Sequence, residues 1–197
     1  MSASGRSKAP GRPDATLDRL LAGAQATFSE RGYHAANIQE ICARSSVGIG
    51  TFYAHFAHKH ELLQKLVVER APVAARLFSA EDLTDRERLI GVIRKVADDP
   101  RMSGLWRAWH EAMLEEAEIK EFSAVWRNEL IAELALKVAD ARVLARSEAK
   151  RLSPMVVAWS IITLTRQLAI YDRRGAPDVQ ELAQLIEELV RGSLDVD

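Results

Sequence analysis

The stretch "SSVGIGTFYAHFAHKHEL", residues 45–62, places two glycines and three aromatic residues within eighteen positions. Its opening letters SSVG are long enough for a tight turn, after which IGTFYAHF can begin a short helix. Phe52 and Phe56 are four residues apart, so they share one helix face and are expected to be buried together. Thr51 and Tyr53 then lie on other faces. The stretch therefore predicts a turn followed by a helix whose buried face is aromatic.

The residues before this stretch predict two further helices. Apolar residues recur at helical spacing from Asp14 to Phe28, and Gly32 supplies a stop. Asn37 can cap a short second helix. The inward residues of that second helix are Ile38, Ile41 and Cys42. Together these elements predict a helix-turn-helix unit of three helices.

A short helix with small leading residues and an aromatic back suits the major groove of DNA, which is about 12 Å wide. Gly48 and Gly50 allow close approach, and Tyr53, His55 and Lys59 are expected near phosphate oxygens. The first 60 residues hold 7 of the 27 Lys and Arg residues and 4 of the 28 Asp and Glu residues, so their formal charge is +3 against -4 for the rest. This asymmetry favours a polyanionic partner for the N-terminal part.

Residues 16–66 resemble the DNA-binding domain of the tetracycline-repressor (TetR) family of transcriptional regulators. The motifs "F..RGY", "I..IC" and "GTFY.HF", followed by Lys59 and Leu62-Leu63, occur in the family's order and spacing. The resemblance implies base-edge contacts from Gln39, Ile49, Gly50 and Thr51, a base-methyl or phosphate contact from Tyr53, and phosphate contacts from Asn37, His55 and Lys59. It also implies a core of Phe28, Ile38, Phe52 and Phe56.

Three positions depart from the family's pattern. Ser46 stands where the turn often has glycine, Gly48 where a capping serine is frequent, and Ile49 where a polar residue often meets DNA. Glycine in place of a serine cap costs only a few tenths of a kcal/mol, so we expect the fold to persist. Operator recognition is then expected to depend on thymine-methyl contact, on DNA shape and on an N-terminal basic arm. That arm carries Arg6, Lys8 and Arg12.

The rest of the chain keeps the helical period, which predicts an all-α protein. The candidate segments lie near residues 83–97, 101–119, 121–147, 154–172 and 178–191. Ser153 with Pro154, and Asp178 with Glu181, have the pattern of helix starts. The predicted domains are a flexible basic arm (1–13), a helix-turn-helix DNA-binding domain (14–60) and a helical ligand-binding and dimerisation domain (61–197).

An aromatic stripe in the second half is a candidate ligand site. Trp106, Trp109, His110 and Met113 share one helix face, which is the pattern of ordinary core as well as of a pocket. The family resemblance implies a pocket for a small-molecule effector, and the aromatic stripe predicts that this effector is largely apolar or aromatic. The residues expected to complete this pocket are Trp126, Leu130, Trp159, Ile162, Thr163 and Arg166. A buried Arg166 would need an anionic partner, and a glutamate of the chain is favoured over a ligand carboxylate.

The last two helices carry apolar stripes that predict a homodimer. The stripes consist of Ile161, Leu164, Leu168 and Tyr171, and of Leu182, Leu185, Ile186 and Leu189. A two-fold dimer would place its recognition helices about 34 to 36 Å apart, or wider, and so predicts a palindromic operator. The family resemblance implies that the protein is a repressor and that its effector releases it from DNA.

Two alternatives to a ligand-responsive repressor remain. One is an architectural DNA-binding protein whose tryptophans are plain core. The other is a helical enzyme using His110 with Glu111 or Glu115, which is disfavoured because the sequence has no second histidine of a zinc-protease motif, no phosphate loop and no nucleotide fingerprint. We therefore expect no enzymatic activity and no cofactor.

The remaining sequence features concern metals and location. His55, His58 and His60 are expected to splay apart as surface or phosphate-facing groups and to hold no metal, since no thiol or carboxylate is arranged with them in the sequence. Cys42, the single cysteine, is expected to be buried. The sequence lacks both the roughly 18-residue apolar run of a membrane span and the apolar core of a signal peptide. A cytoplasmic protein without a membrane partner is expected.

Overall fold

The computed structural model describes residues 15–70, 74–97, 100–146, 152–170 and 178–191, and all regular structure within them is helical. The helices are α1 (Ala15–Ala35), α2 (Ile38–Ser45), α3 (Ile49–His55), α4 (Lys59–Arg70), α5 (Ala74–Leu77), α6 (Arg86–Ala97), α7 (Pro100–Glu115), α8 (Ala117–Leu144), α9 (Pro154–Ile170) and α10 (Val179–Arg191). A short 3₁₀ turn, Asp82–Thr84, precedes α6. The predicted all-α class is confirmed.

Helix boundaries follow the predicted starts where a capping residue marks them. The Ser153 hydroxyl accepts from the Val156 amide at 3.3 Å, and the Glu181 carboxylate accepts from the Asp178 amide at 3.3 Å. The boundary between α7 and α8 was expected near residue 120 but lies at Glu116, which has extended backbone angles of φ -111° and ψ 112°. No glycine or proline marks this break. The Glu116 carboxylate accepts a hydrogen bond from the Tyr33 hydroxyl at 2.5 Å, and Tyr33 belongs to a distant part of the chain.

Helices α1 to α4 enclose an aromatic and aliphatic core at the N-terminal end. Phe28 and Phe52 are fully buried, Phe56 is nearly so, and Ile38 is half-buried against them, as expected. Helix α4 contributes a further buried row to the same core. That row consists of Leu62, Leu63, Leu66 and Val67. The expected boundary between residues 60 and 61 stays a prediction, although α4 runs across it.

Helix α7 lies between the two parts of the protein. It packs along α1 on one side and against α8 and α9 on the other. The approach to α1 is close because a Cβ atom at Gly104 would lie 2.4 Å from the Ser29 carbonyl oxygen. At the far end, Arg142 of α8 donates to the carbonyls of Leu152 and Val190 at 2.7 and 3.0 Å and so fixes the end of α10.

The stripes expected to form a dimer interface are mostly interior. Ile161, Leu182, Ile186 and Leu189 are buried within their own chain, so their prediction as interface residues is wrong. Helices α9 and α10 bury these stripes against α6 and α8. Leu164, Leu168 and Leu185 are half-buried, and Tyr171 lies outside the described residues. Among the residues of α9 whose burial is described, the exposed large apolar ones are Met155, Val156 and Trp159.

Candidate nucleic-acid interface and effector cavity

The turn between α2 and α3 is built as a helix-turn-helix requires. Ser46 adopts a left-handed conformation with φ 51°, and its amide donates to the Ala43 carbonyl at 3.2 Å. A serine thus takes the conformation that glycine usually supplies at the end of a helix. Gly48 precedes α3 without a side-chain cap, in agreement with the sequence.

Helix α3 presents its leading residues to solvent and its aromatic back to the core. Ile49 is 47% exposed and Tyr53 56% exposed, whereas Phe52 between them is fully buried. Gly50 and Thr51 are exposed beside them. The other predicted DNA contacts that are exposed are Asn37, Gln39 and His55. The structure thus brings these predicted side chains to the surface around α3.

Two predicted phosphate contacts also have structural partners inside the protein. The Asn37 side-chain oxygen accepts from the Glu40 amide at 2.8 Å and caps α2. The Lys59 ammonium donates to the carbonyls of Tyr33 and Ala36 at 2.9 and 3.2 Å and lies 4.2 Å from the Tyr33 ring centroid. Lys59 is half-buried, so its ammonium ties the end of α1 to α4 rather than pointing freely outward.

The histidine cluster differs from expectation at His60. His55 and His58 are exposed, but His60 is buried and its ring stacks on that of His58 with centroids 5.2 Å apart. Its Nε2 lies 2.9 Å from a Glu118 oxygen, so a carboxylate does face this histidine. The expectation that all three are splayed surface groups is therefore wrong for His60. Within the described ranges, no group of three or more His, Cys, Asp or Glu residues is arranged to hold a metal ion.

A small cavity lies in the C-terminal part between α6, α7, α8 and α9. Its volume is about 40 Å³, which is room for a few water molecules. The lining residues are Val96, Trp106, Trp109, Ser123, Trp126, Arg127, Leu130, Ile162, Thr165 and Arg166. Trp109 and Trp126 meet edge to face with centroids 6.1 Å apart, and Phe122 stacks on Trp126. The cavity is thus narrow, apolar and walled by indole rings.

The structure brings six of the predicted ligand residues to this cavity: Trp106, Trp109, Trp126, Leu130, Ile162 and Arg166. His110, Met113, Trp159 and Thr163 are not among its lining, and Trp159 is 52% exposed. Helical spacing predicts the direction in which a side chain points around its helix axis. It does not predict which neighbouring helix packs against that side. The residues that sequence reasoning missed are Val96, Ser123, Arg127 and Thr165. Ser123 and Arg127 were detectable, because Ser123 lies three residues before Trp126 and Arg127 lies three residues before Leu130 on the same helix.

The polar side chains that line the cavity are two hydroxyls, Ser123 and Thr165, and two guanidinium groups, Arg127 and Arg166. The Trp106 indole N–H is buried and makes no hydrogen bond within the described part of the chain. Burial, with a smaller effect of the Arg166 charge, lowers the pKa of His110 beside this site. The cavity therefore offers indole faces, a hydrogen-bond donor and positive charge.

An open cleft of about 620 Å³ lies between α4 and α8. Trp126 and Leu130 line both this cleft and the small cavity, so they separate the two spaces. The opposite wall is formed by α4 residues, including Gln64 and Val68. No described helix is long and apolar enough to cross a membrane.

Comparison with known proteins finds sequence matches for the N-terminal part and structural matches for the whole chain. Residues 20–66 match the sequence model of a family described as bacterial regulatory proteins, tetR family. Over 54 residues the chain is 37% identical to the HTH-type transcriptional regulator UidR of Escherichia coli strain K12, a match that covers 27% of this chain and 28% of UidR. The matched segment thus spans just over a quarter of that relative.

Solved structures resemble the whole chain. Salmonella enterica GusR superposes with a TM-score of 0.75 at 20% identity, covering 94% of this chain and 98% of that one. The regulator FadR from Bacillus subtilis, in complex with stearoyl-CoA, gives a TM-score of 0.66 at 18% identity, covering 90% and 98%. At these identities the likeness shows a shared fold.

Proposed function

Because residues 20–66 carry the DNA-binding domain of the TetR family and the whole chain shares its fold with such regulators, we propose that this protein is a transcriptional repressor. It binds a palindromic operator as a dimer and is released by a small, largely apolar effector. The observation that carries the proposal is the exposure of Ile49 and Tyr53 on a helix whose Phe52 is fully buried. Two large apolar side chains held in water at this position suit contact with thymine methyl groups.

The small cavity supports effector binding in the C-terminal part. Its 40 Å³ is too little for an organic effector, so binding requires Trp126 and Leu130 to move toward the cleft. An effector with an acceptor atom would also satisfy the buried Trp106 N–H, which otherwise loses the hydrogen bond that it makes in water. FadR, which was solved with stearoyl-CoA, shares this fold and supports an apolar effector.

The outer face of α9 supports a dimer. Met155, Val156 and Trp159 are each about half exposed and lie within one and a half helical turns. A second copy of the chain, meeting the same face about a two-fold axis, would cover them. The interface proposed here therefore uses this outer row rather than the buried stripes of α9 and α10.

Release follows from linkage between the two sites. An effector that binds the open cavity more tightly than the closed one shifts the population toward the open form. DNA affinity then falls by the same coupling factor by which DNA weakens effector binding.

The test is fluorescence-anisotropy binding of the purified full chain to DNA flanking its own coding region, across a salt series. We expect selective binding that weakens with salt and falls at least tenfold in Tyr53→Ala. Leu114→Ala is the matched control, because Leu114 is an exposed apolar residue on α7, away from α3. Binding that is indifferent to sequence would support an architectural protein instead. Absence of binding to any such DNA would refute the proposal.

A further inference from the structure

Helix α1 is interrupted one turn before its end. Gly32 has φ 76° and ψ -179°, so the backbone leaves the helical conformation for one residue. In a continuous helix the Tyr33 amide would donate to the Ser29 carbonyl, four residues earlier. The break separates these two groups and leaves them, with the His34 amide, in need of other partners.

Helix α7 supplies those partners from the C-terminal part. The Glu111 carboxylate accepts from the Tyr33 amide at 2.7 Å and from the His34 amide at 3.2 Å. The Arg107 guanidinium donates to the Ser29 carbonyl at 3.2 Å. We call Arg107 and Glu111, which lie one turn apart, the clamp. Glu111 thus acts as an N-terminal cap supplied by another helix.

Two glycines make room for this contact. A Cβ atom at Gly32 would lie 2.5 Å from a Glu111 carboxylate oxygen, and one at Gly104 would lie 2.4 Å from the Ser29 carbonyl oxygen. Gly104, Arg107 and Glu111 follow the i, i+3, i+7 spacing of a single helix face. The clamp is therefore part of a close backbone approach between α1 and α7.

The opposite face of α7 lines the cavity. At 100° per residue, Trp109 lies about 160° around the helix axis from both clamp residues, and Trp106 lies about 100° to 140° from them. A shift of α7 that enlarges the cavity therefore also moves the clamp. On the other side, the segment after Tyr33 leads directly to Asn37, the cap of α2.

We propose that the clamp positions the helix-turn-helix relative to the effector cavity, with Glu111 as the positioning residue that couples α7 to the end of α1. The inference rests on the proposed function for its regulatory meaning. Lys59 completes the connection, because it ties the Tyr33 and Ala36 carbonyls to the start of α4. The segment that enters α2 is therefore held from both sides.

The contact itself is tested by amide hydrogen exchange on the full-length protein. In Glu111→Ala we expect the Tyr33 amide to exchange at least tenfold faster. Glu115→Ala is the matched control, since Glu115 lies on the same helix and pairs with the exposed His34 ring at 2.9 Å, whereas the Tyr33 and His34 amides donate to Glu111. Equal protection of Tyr33 in wild type and Glu111→Ala would overturn the clamp.

Coupling is tested by tryptophan fluorescence, because all four tryptophans lie after residue 100. At saturating operator DNA we expect wild type and Glu115→Ala to show a DNA-induced change in emission. Glu111→Ala should lose at least half of this change in emission. Glu111→Gln keeps an acceptor oxygen and should therefore retain most of the change. A merely less stable protein would keep the full change once DNA is bound. An unaltered change in Glu111→Ala would refute the coupling.

The two tests also separate this inference from the proposed function. If the wild type binds no DNA, the proposed function fails, while the exchange rate of Tyr33 still decides whether Glu111 holds the end of α1. If DNA binds and the exchange rate is unchanged in Glu111→Ala, the proposed function stands and the clamp fails.

Discussion

Replacing Gly104 by alanine is expected to destabilise the protein although alanine is the better helix former. Gly104 lies within α7, where its added Cβ atom would lie 2.4 Å from the oxygen and 2.6 Å from the Cα atom of Ser29. Both contacts are with backbone, so no side-chain rotation can relieve them. Separating the atoms to van der Waals distance requires α1 and α7 to move apart by about 1 Å.

The expected magnitude follows from two opposing effects. Alanine gains about 1 kcal/mol in helix propensity over glycine. Overpacking costs about 3 kcal/mol at the upper end of its usual range, which is appropriate for a backbone contact. The net loss is about 2 kcal/mol, or a fall in melting temperature of about 4 to 8 °C for a chain of this size.

Gly91→Ala is the matched control, because it makes the same chemical change in helix α6. A Cβ atom at Gly91 would meet nothing within 4 Å, so only the propensity gain remains. We expect this variant to be more stable than wild type by about 1 kcal/mol. The two variants should therefore move in opposite directions.

Thermal and urea unfolding, followed by circular dichroism at 222 nm, measures both variants. Equal stabilisation by Gly104→Ala and Gly91→Ala would show that α1 and α7 are not in close backbone contact. That result would refute both the packing described for α7 and the steric basis of the clamp.

Three further predictions concern single side chains. Asn37→Ala should lower the unfolding free energy by about 1 kcal/mol because the α2 cap is lost, whereas Asn37→Asp should keep the stability and weaken operator binding by charge repulsion. Urea unfolding measures the first effect and fluorescence anisotropy the second. Equal operator affinity of Asn37→Asp and wild type would exclude a phosphate contact. His110 has a lowered pKa in the folded state, so the unfolded state binds more protons once the pH falls below the ordinary histidine pKa of about 6.5, and the free energy of unfolding should decline in that range. His110→Gln should flatten that part of the profile of unfolding free energy against pH, measured by urea unfolding. An unchanged profile would contradict the prediction. Trp106→Phe removes buried volume but also a buried N–H that lacks an acceptor, so it should lower thermal stability by less than the volume-matched Trp109→Phe. An equal or larger loss in Trp106→Phe would indicate that its N–H is bonded in solution.

The N-terminal part, with its helix-turn-helix, could be predicted in detail because its signals are local. Helical spacing, the Asn37 cap and the four-residue interval between Phe52 and Phe56 act within one or two turns, and the structure places these groups as expected. His60 is an exception, because the Glu118 carboxylate that faces it is distant in sequence and close only after α8 has packed.

The C-terminal part was predictable in its helices but only partly in its site. Apolar periodicity located α6 to α10, yet it could not distinguish stripes that face the same chain from stripes left for a partner. Ile186 packs inward and Trp159 remains half exposed, although both belong to regular apolar patterns.

The sequence by itself therefore determined the all-α class, the helix-turn-helix and most of the aromatic wall, because each depends on short-range periodicity and capping. Only the tertiary structure decided the break between α7 and α8, the burial of His60 and the clamp on α1. These features depend on groups such as Glu111 and Tyr33, which are 78 positions apart and meet only when the helices pack. No local pattern encodes such a pairing, because its free energy arises only from the packed arrangement of both helices.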